Sequence, residues 1–196
     1  MTATAIPQHQ FGNAPLSESH AFAITVFRTV CERLVAKADD LRLMAEAAAS
    51  FEEWLVWEAF LACKHRQPAE RFCEVAAKPA YASEGLPDDG SRGGLRVGGP
   101  DDGADRCWLF AEFVLLHAGD DWRRTTEDAE ARLLRLGWRR SASLLIVVAV
   151  NRVASADDPP ALTDPCGIAL PGGGTAVITA FDVKRDPADT LTGAGR

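Results

Sequence analysis

Two segments that are apolar on both faces, joined by a helical one, limit how this chain can fold more than anything else in it. The first is Cys107-Trp108-Leu109-Phe110-Ala111-Glu112-Phe113-Val114-Leu115-Leu116, in which one carboxylate interrupts an otherwise apolar run. The second is Ser143-Leu144-Leu145-Ile146-Val147-Val148-Ala149-Val150, which has no polar side chain after its serine. A strand with no polar face must be covered on both sides, which is the situation inside a parallel or mixed sheet. Between the two lie a polar turn, Ala118-Gly119-Asp120-Asp121, and a helical pattern ending Ala131-Arg132-Leu133-Leu134-Arg135-Leu136-Gly137. Parallel neighbours need a crossover of about this length, so Asp105 to Val150 is expected to form a strand–helix–strand unit, with Glu112 inside its first strand.

The rest of the chain reads as additions to that unit. Met1 to Leu16 has no periodicity and reads as a disordered tail, as do residues 186–196. Residues 17–185 read as a single domain. Ser17-Glu18-Ser19 opens a helix with apolar residues at Phe22, Ile24, Val26, Phe27, Val30, Cys31, Leu34 and Val35, and Asp39-Asp40 is expected to interrupt the run. Ser50-Phe51-Glu52-Glu53 reads as a capping box, with Ser50 as N-cap and Glu53 reaching back. The helix it starts is apolar nearly all round, and places Phe51, Trp54, Leu55, Leu61 and Ala62 on one arc, with Glu58 in the middle of that arc and His65 near its edge. Pro68 is expected to end it.

Arg71 to Tyr81 reads as a strand, moved to a sheet edge by Pro79. Ser83 to Ser91 is loop. Gly94-Leu95-Arg96-Val97 is a short strand whose Gly-rich turn sends the chain back antiparallel to the Trp108 strand. After the crossover, Ala154 to Pro165 is a connector. Cys166–Leu170 and Thr175–Val183 flank Pro171-Gly172-Gly173-Gly174, a hairpin signal. The expected fold is therefore α/β: a mixed central sheet with one βαβ crossover, N-terminal helices and a C-terminal β-hairpin.

Several function classes are disfavoured at once. The net charge of −7 lacks the general attraction that dominates nucleic-acid affinity, so any such binding would need a local patch such as Arg123-Arg124 or Arg139-Arg140. The five cysteines are widely spaced with no CxxC pair, which points to free thiols in a reducing, cytoplasmic setting rather than to zinc. The longest apolar run is too short to span a bilayer, so no membrane partner is expected. Phosphate-loop, dinucleotide, HExxH and GxSxG motifs are absent from the sequence.

What remains is an order of elements. A helix with an inward acid is followed by an antiparallel pair of strands, the second carrying Glu112, then by a helix and a buried parallel strand. Over roughly residues 50–150 this order resembles the PD-(D/E)XK nuclease superfamily, the restriction-endonuclease-like fold. The resemblance implies an acid from the helix, an Asp on one strand and a Glu-x-Lys on the next, arranged around a divalent metal such as Mg²⁺. Carried across, Glu58 (or Glu53) matches the helix acid and Glu112 the strand glutamate. Position 114 is Val where Lys is expected, and Gly93-Gly94-Leu95 stands where the strand Asp would be; the nearest acids are Asp101, Asp102 and Asp105.

These departures make a catalytically inactive nuclease-like domain the leading expectation. It would need no cofactor and would act as a binding or assembly module for a protein partner or a second copy. Its contact surface would be the N-terminal helices or the Ser83–Asp105 loop. One alternative is a metal-dependent phosphodiesterase with a migrated site, in which Glu58, Asp105 and Glu112 are both catalytic and metal-ligating. Another is a small-molecule binder at the carboxyl ends of the two buried strands, near His117. The plainest reading makes Glu112 a buried acid paired with Arg96 or His65. Asp182-Val183-Lys184, with Asp164 upstream, imitates the nuclease spacing, but too little chain follows to support a site there.

Overall fold

A computed structural model of the chain describes residues 18–47, 51–79, 92–99, 107–135, 141–152 and 158–183. The two tails, the Ser83–Ser91 loop, Ser50, Asp105 and Arg139-Arg140 lie outside the described residues. Those described form four helices and one mixed six-stranded sheet, so the expected α/β class holds. In chain order they are α1 (Glu18–Val35), α2 (Ala38–Ala47), α3 (Glu52–Glu70), β1 (Glu74–Ala77), β2 (Leu95–Gly98), β3 (Trp108–Leu116), α4 (Trp122–Arg135), β4 (Ser141–Val150), β5 (Cys166–Ala169) and β6 (Thr175–Asp182). Among the described residues, no helix is long and apolar enough to cross a membrane.

The sheet order is β1-β2-β3-β4-β6-β5. β3 and β4 run parallel from Trp108↔Ser141 to Leu116↔Ala149, and the other neighbours are antiparallel. The crossover between the two parallel strands is α4. β3 is buried at every position after Trp108, for the reason its composition suggests. Leu109, Ala111, Phe113 and Leu115 pack with Val26, Phe27, Val30 and Leu34 of α1 and Leu55 and Ala59 of α3. Phe110, Val114 and Leu116 face the other way, onto Ala129 and Leu133 of α4. Removing a fully buried residue such as Leu109 or Leu144 from this double layer would cost about 2–5 kcal/mol.

The ends of elements depart from the sequence reading in instructive ways. The first helical run breaks at Ala36-Lys37, two residues before Asp39-Asp40. The aspartates sit in the first turn of α2, where the helix dipole favours negative charge. α3 is capped at Phe51, which makes no side-chain capping bond, one residue after the expected N-cap at Ser50. Nor does Pro68 end α3, which continues to Glu70 and closes on Arg71 in the left-handed region (φ 55°). Lys64 and Pro68 both face solvent, so the carbonyl that loses its donor at the proline is open to water.

β1 is an edge strand as expected, but shorter, because Arg71 belongs to the helix cap and Lys78 (φ 50°) turns the chain away. The C-terminal hairpin extends the sheet, with β6 against β4 and β5 outermost. Its turn runs through Gly172, Gly173 and Gly174, all at positive φ, where glycine alone is unstrained. All five cysteines are free: Cys31 and Cys63 are buried, and the other three are half-buried. Burial pushes the Cys63 thiol up to about 12, which makes it inert at neutral pH.

Candidate functional site

The sheet opens where β2 stops. Leu95, the first residue of β2, stands opposite Ala111, so the β2 side of β3 is unpaired by β2 from Glu112 onward. The backbone turns inward at that point. Gly94 N–H donates to Glu112 Oε1 at 3.3 Å. Only glycine fits, since a Cβ there would lie 2.4 Å from the Ala111 carbonyl oxygen. On the far side of the sheet, α4 brings Arg132, whose Nη2 donates to Glu112 Oε2 at 3.1 Å. Glu112 is 5% exposed, and its charge is met by this guanidinium.

A second carboxylate comes to the same place from α3. Glu52, in the first turn of that helix, is half-buried and takes a backbone hydrogen bond from Leu115 of β3. Its pKa is raised, mainly by burial and further by the charge of Glu112. Arg132, the Leu115 bond and Lys78 pull it the other way. At this edge of β3 the charge of Glu52 is therefore felt together with those of Glu112, Lys78 and Arg132, two acids against two bases.

Glu58 lies elsewhere. It is buried in the α1–α3 layer, 8% exposed, where Arg33 Nε donates to its Oε2 at 2.6 Å. An acid on this apolar arc had to be paired, protonated or reactive, and it is paired. The expected meeting of Glu58 and Glu112 does not occur. β3 alternates its side chains, so Glu112 falls on the α4 face with Phe110 and Val114, whereas Glu58 belongs to the layer on the opposite face. Asp105, the third member of that expected set, lies outside the described residues. Among the described residues no three His, Cys, Asp or Glu side chains are grouped to hold a metal ion.

The expected partners of Glu112 are also corrected. Arg96 stands opposite Phe110, short of Glu112, pairs with Glu74 across β1 and β2, and lies 5.3 Å over the Trp108 ring. His65 is exposed on α3. At the end of β3, His117 N–H donates to Asp120 Oδ2 at 2.7 Å, and Asp121 Oδ1 accepts from Arg124 N–H at 2.9 Å to cap α4. These bonds give the loop acids a structural role. A cleft of about 500 Å³ lies beside α4, lined by Trp122, Arg123, Thr126, Glu127, Glu130 and Pro159. Another of about 360 Å³ lies between α2 and α3, lined by Asp40, Leu43, Met44, Phe51 and Trp54. Neither is lined by His117.

Sequence reasoning missed Glu52, Lys78 and Arg132. Glu52 was hidden by the capping-box reading, which gave the role at that end of the helix to Glu53, and the arc expected to face inward was set too far towards Trp54, which is half-buried, and Leu61, which is exposed. Arg132 had a usable signal: it is one turn from Ala129 and adjacent to Leu133, at the margin of the buried stripe of α4. The fold and this opening define an α/β protein with a mixed sheet and an internally neutralised charge cluster. No protein-family model matches the chain, and neither a curated protein nor a solved structure is similar to it.

Proposed function

We propose that this chain is a non-catalytic, restriction-endonuclease-like domain that works as a binding or assembly module. The order α3, β1, β2, β3, α4, β4, with its antiparallel β1–β2–β3 set and parallel β3–β4 pair, supports the nuclease-like reading. So does a glutamate midway along β3. The observation that carries the loss of catalysis is the pairing of Glu112 with Arg132. A hydrolytic metal site needs carboxylate oxygens directed at a cation, and here a guanidinium takes one of them. Val114, where the family has lysine, is 2% exposed and packed under α4, so an ammonium there would be buried among apolar side chains. Gly94, near where the strand acid would stand, has no room even for a Cβ.

The binding role is supported by what the N-terminal helices leave outside. Leu43 is 55% exposed, Trp57 46% and Leu61 37%, and the cleft between α2 and α3 continues this apolar surface. Large exposed apolar side chains with an aromatic group among them are a signature of interaction sites.

The test combines cleavage and stability. Purified protein incubated with single- and double-stranded DNA and RNA in Mg²⁺ or Mn²⁺ is expected to cleave no faster than its Glu112→Gln variant. The melting temperature is expected to be unchanged by either ion, since a site that binds only the folded state would raise it. A second reading, metal-dependent phosphodiester hydrolysis, draws on one observation: Glu52 and Glu112 lie close enough for the charge of one to raise the pKa of the other. Metal-dependent cleavage lost in both Glu52→Gln and Glu112→Gln would replace the first reading with this one.

A further inference from the structure

The outer face of α3 has an order of side chains that matches itself when reversed. At about 100° per residue, Glu53, Trp54, Trp57, Phe60, Leu61 and Lys64 share the arc opposite the buried residues Leu55, Val56, Ala59, Ala62 and Cys63. Glu53, Trp57, Leu61 and Lys64 are exposed, and Trp54 and Phe60 are half-buried. The acid lies at one end, the base at the other, roughly 16 Å away along the helix axis, and the middle is apolar. Trp57 and Phe60 are already braced edge-to-face at 5.7 Å, and the Lys64 ammonium lies 5.9 Å from the Phe60 ring centre. The aromatic groups are therefore presented in fixed positions, which lowers the entropy lost on contact.

We infer that the partner of this face is a second copy of the chain, bound through an antiparallel α3–α3 pair about a two-fold axis between Trp57 and Leu61. The inference rests on the assembly reading above and names its partner. In this arrangement Trp57 of each copy covers Phe60 and Leu61 of the other, and Glu53 of each lies beside Lys64 of the other. A two-fold interface must be self-complementary, and a helix carrying acid, apolar centre and base in that order meets this condition only when antiparallel to itself. A parallel pairing would set like charges side by side. One helix stripe with Leu43 at its margin lies at the small end of specific interfaces, so association belongs in the micromolar range rather than the nanomolar.

The experiment is sedimentation equilibrium of the full chain from about 1 to about 500 µM, with matched variants. The parent protein is expected to pass from monomer to dimer across this range. Trp57→Glu should weaken the dimer at least tenfold, as loss of a central aromatic anchor does. Leu61→Glu provides a second test of the centre if the tryptophan variant folds poorly. Glu53→Lys and Lys64→Glu should each weaken self-association about threefold to tenfold, by placing like charges together twice per dimer. Mixing those two variants should restore dimerisation, since each then supplies the charge the other lacks.

Monomer at every concentration would overturn the inference. Association untouched by Trp57→Glu and Leu61→Glu would place the contact elsewhere. Failure of the mixed charge variants to recover would exclude the antiparallel arrangement. None of these outcomes bears on the cleavage assay, which tests the loss of catalysis separately.

Discussion

Replacing Arg132 with methionine removes the guanidinium that donates to Glu112 at 3.1 Å while keeping most of the aliphatic stem on α4. Breaking a buried ion pair by deleting one partner costs about 3–5 kcal/mol, because the other charge is left without compensation. Two features of this pair reduce that figure. The Arg132 side chain is 34% exposed, so water can enter the space it vacates, and Gly94 N–H still donates to the other carboxylate oxygen. A loss of about 2–3 kcal/mol is the expectation once partial solvation is allowed for. In a domain of this size that lowers the melting temperature by about 4–10 °C. Urea denaturation should show the same loss with an unchanged slope, since the surface exposed on unfolding is the same. Adding Glu112→Gln to Arg132→Met should recover most of it, because the carboxylate that lost its guanidinium is then replaced by a neutral amide, and the coupling from the cycle should exceed about 1 kcal/mol. A loss under about 0.5 kcal/mol, or no recovery in the double variant, would mean that the guanidinium does not neutralise this carboxylate. Glu112 would then lose its part in the reading of a non-catalytic site.

Two further perturbations probe the same opening. Gly94→Ala drives a methyl group into the Ala111 carbonyl and displaces the N–H that Glu112 uses, so a loss of about 2–3 kcal/mol is expected, read by urea denaturation; a change within about 0.5 kcal/mol would mean that the turn has slack. Glu52 tests the electrostatics: its folded pKa is raised above 4.5, chiefly by burial, so the folded chain holds that proton more tightly than the unfolded chain does. The stability this proton contributes is full below the unfolded pKa and is lost as pH rises through the folded one. Glu52→Gln cannot titrate, so it should flatten that part of the stability curve and be a few tenths of a kcal/mol more stable near pH 7, a small gain because a half-exposed charge is screened. Curves for the variant and its parent that stay parallel between about pH 4 and pH 7 would refute this assignment.

The sheet was legible because its evidence is local. An uncharged run such as Leu144–Val150 can only be covered on both sides, and α4 between two such runs leaves a crossover as the simple connection. Pro79 likewise marked β1 as an edge, since proline supplies no donor for a further strand. Alternation also showed that Glu112 and Phe113 must face opposite ways. It could not show which face each helix would cover, because Phe110, Val114 and Leu116 are as apolar as Leu109, Phe113 and Leu115. The choice was settled by α4, through the side chain of Arg132, twenty residues away in sequence. Glu58 shows the same limit from the other side. Its burial followed from helical period alone, but its partner, Arg33, came from a helix whose packing angle no local pattern encodes. The functional reading turns on these pairings: a strand glutamate in a nuclease-like order of elements has one meaning beside a cation-binding opening and another beside an arginine. Charge placement along a single helix is different, because Glu53, Trp57, Leu61 and Lys64 carry their order in the sequence itself. What the structure adds is that this face points outward, which turns an ordinary pattern of core residues into a surface with a defined complement.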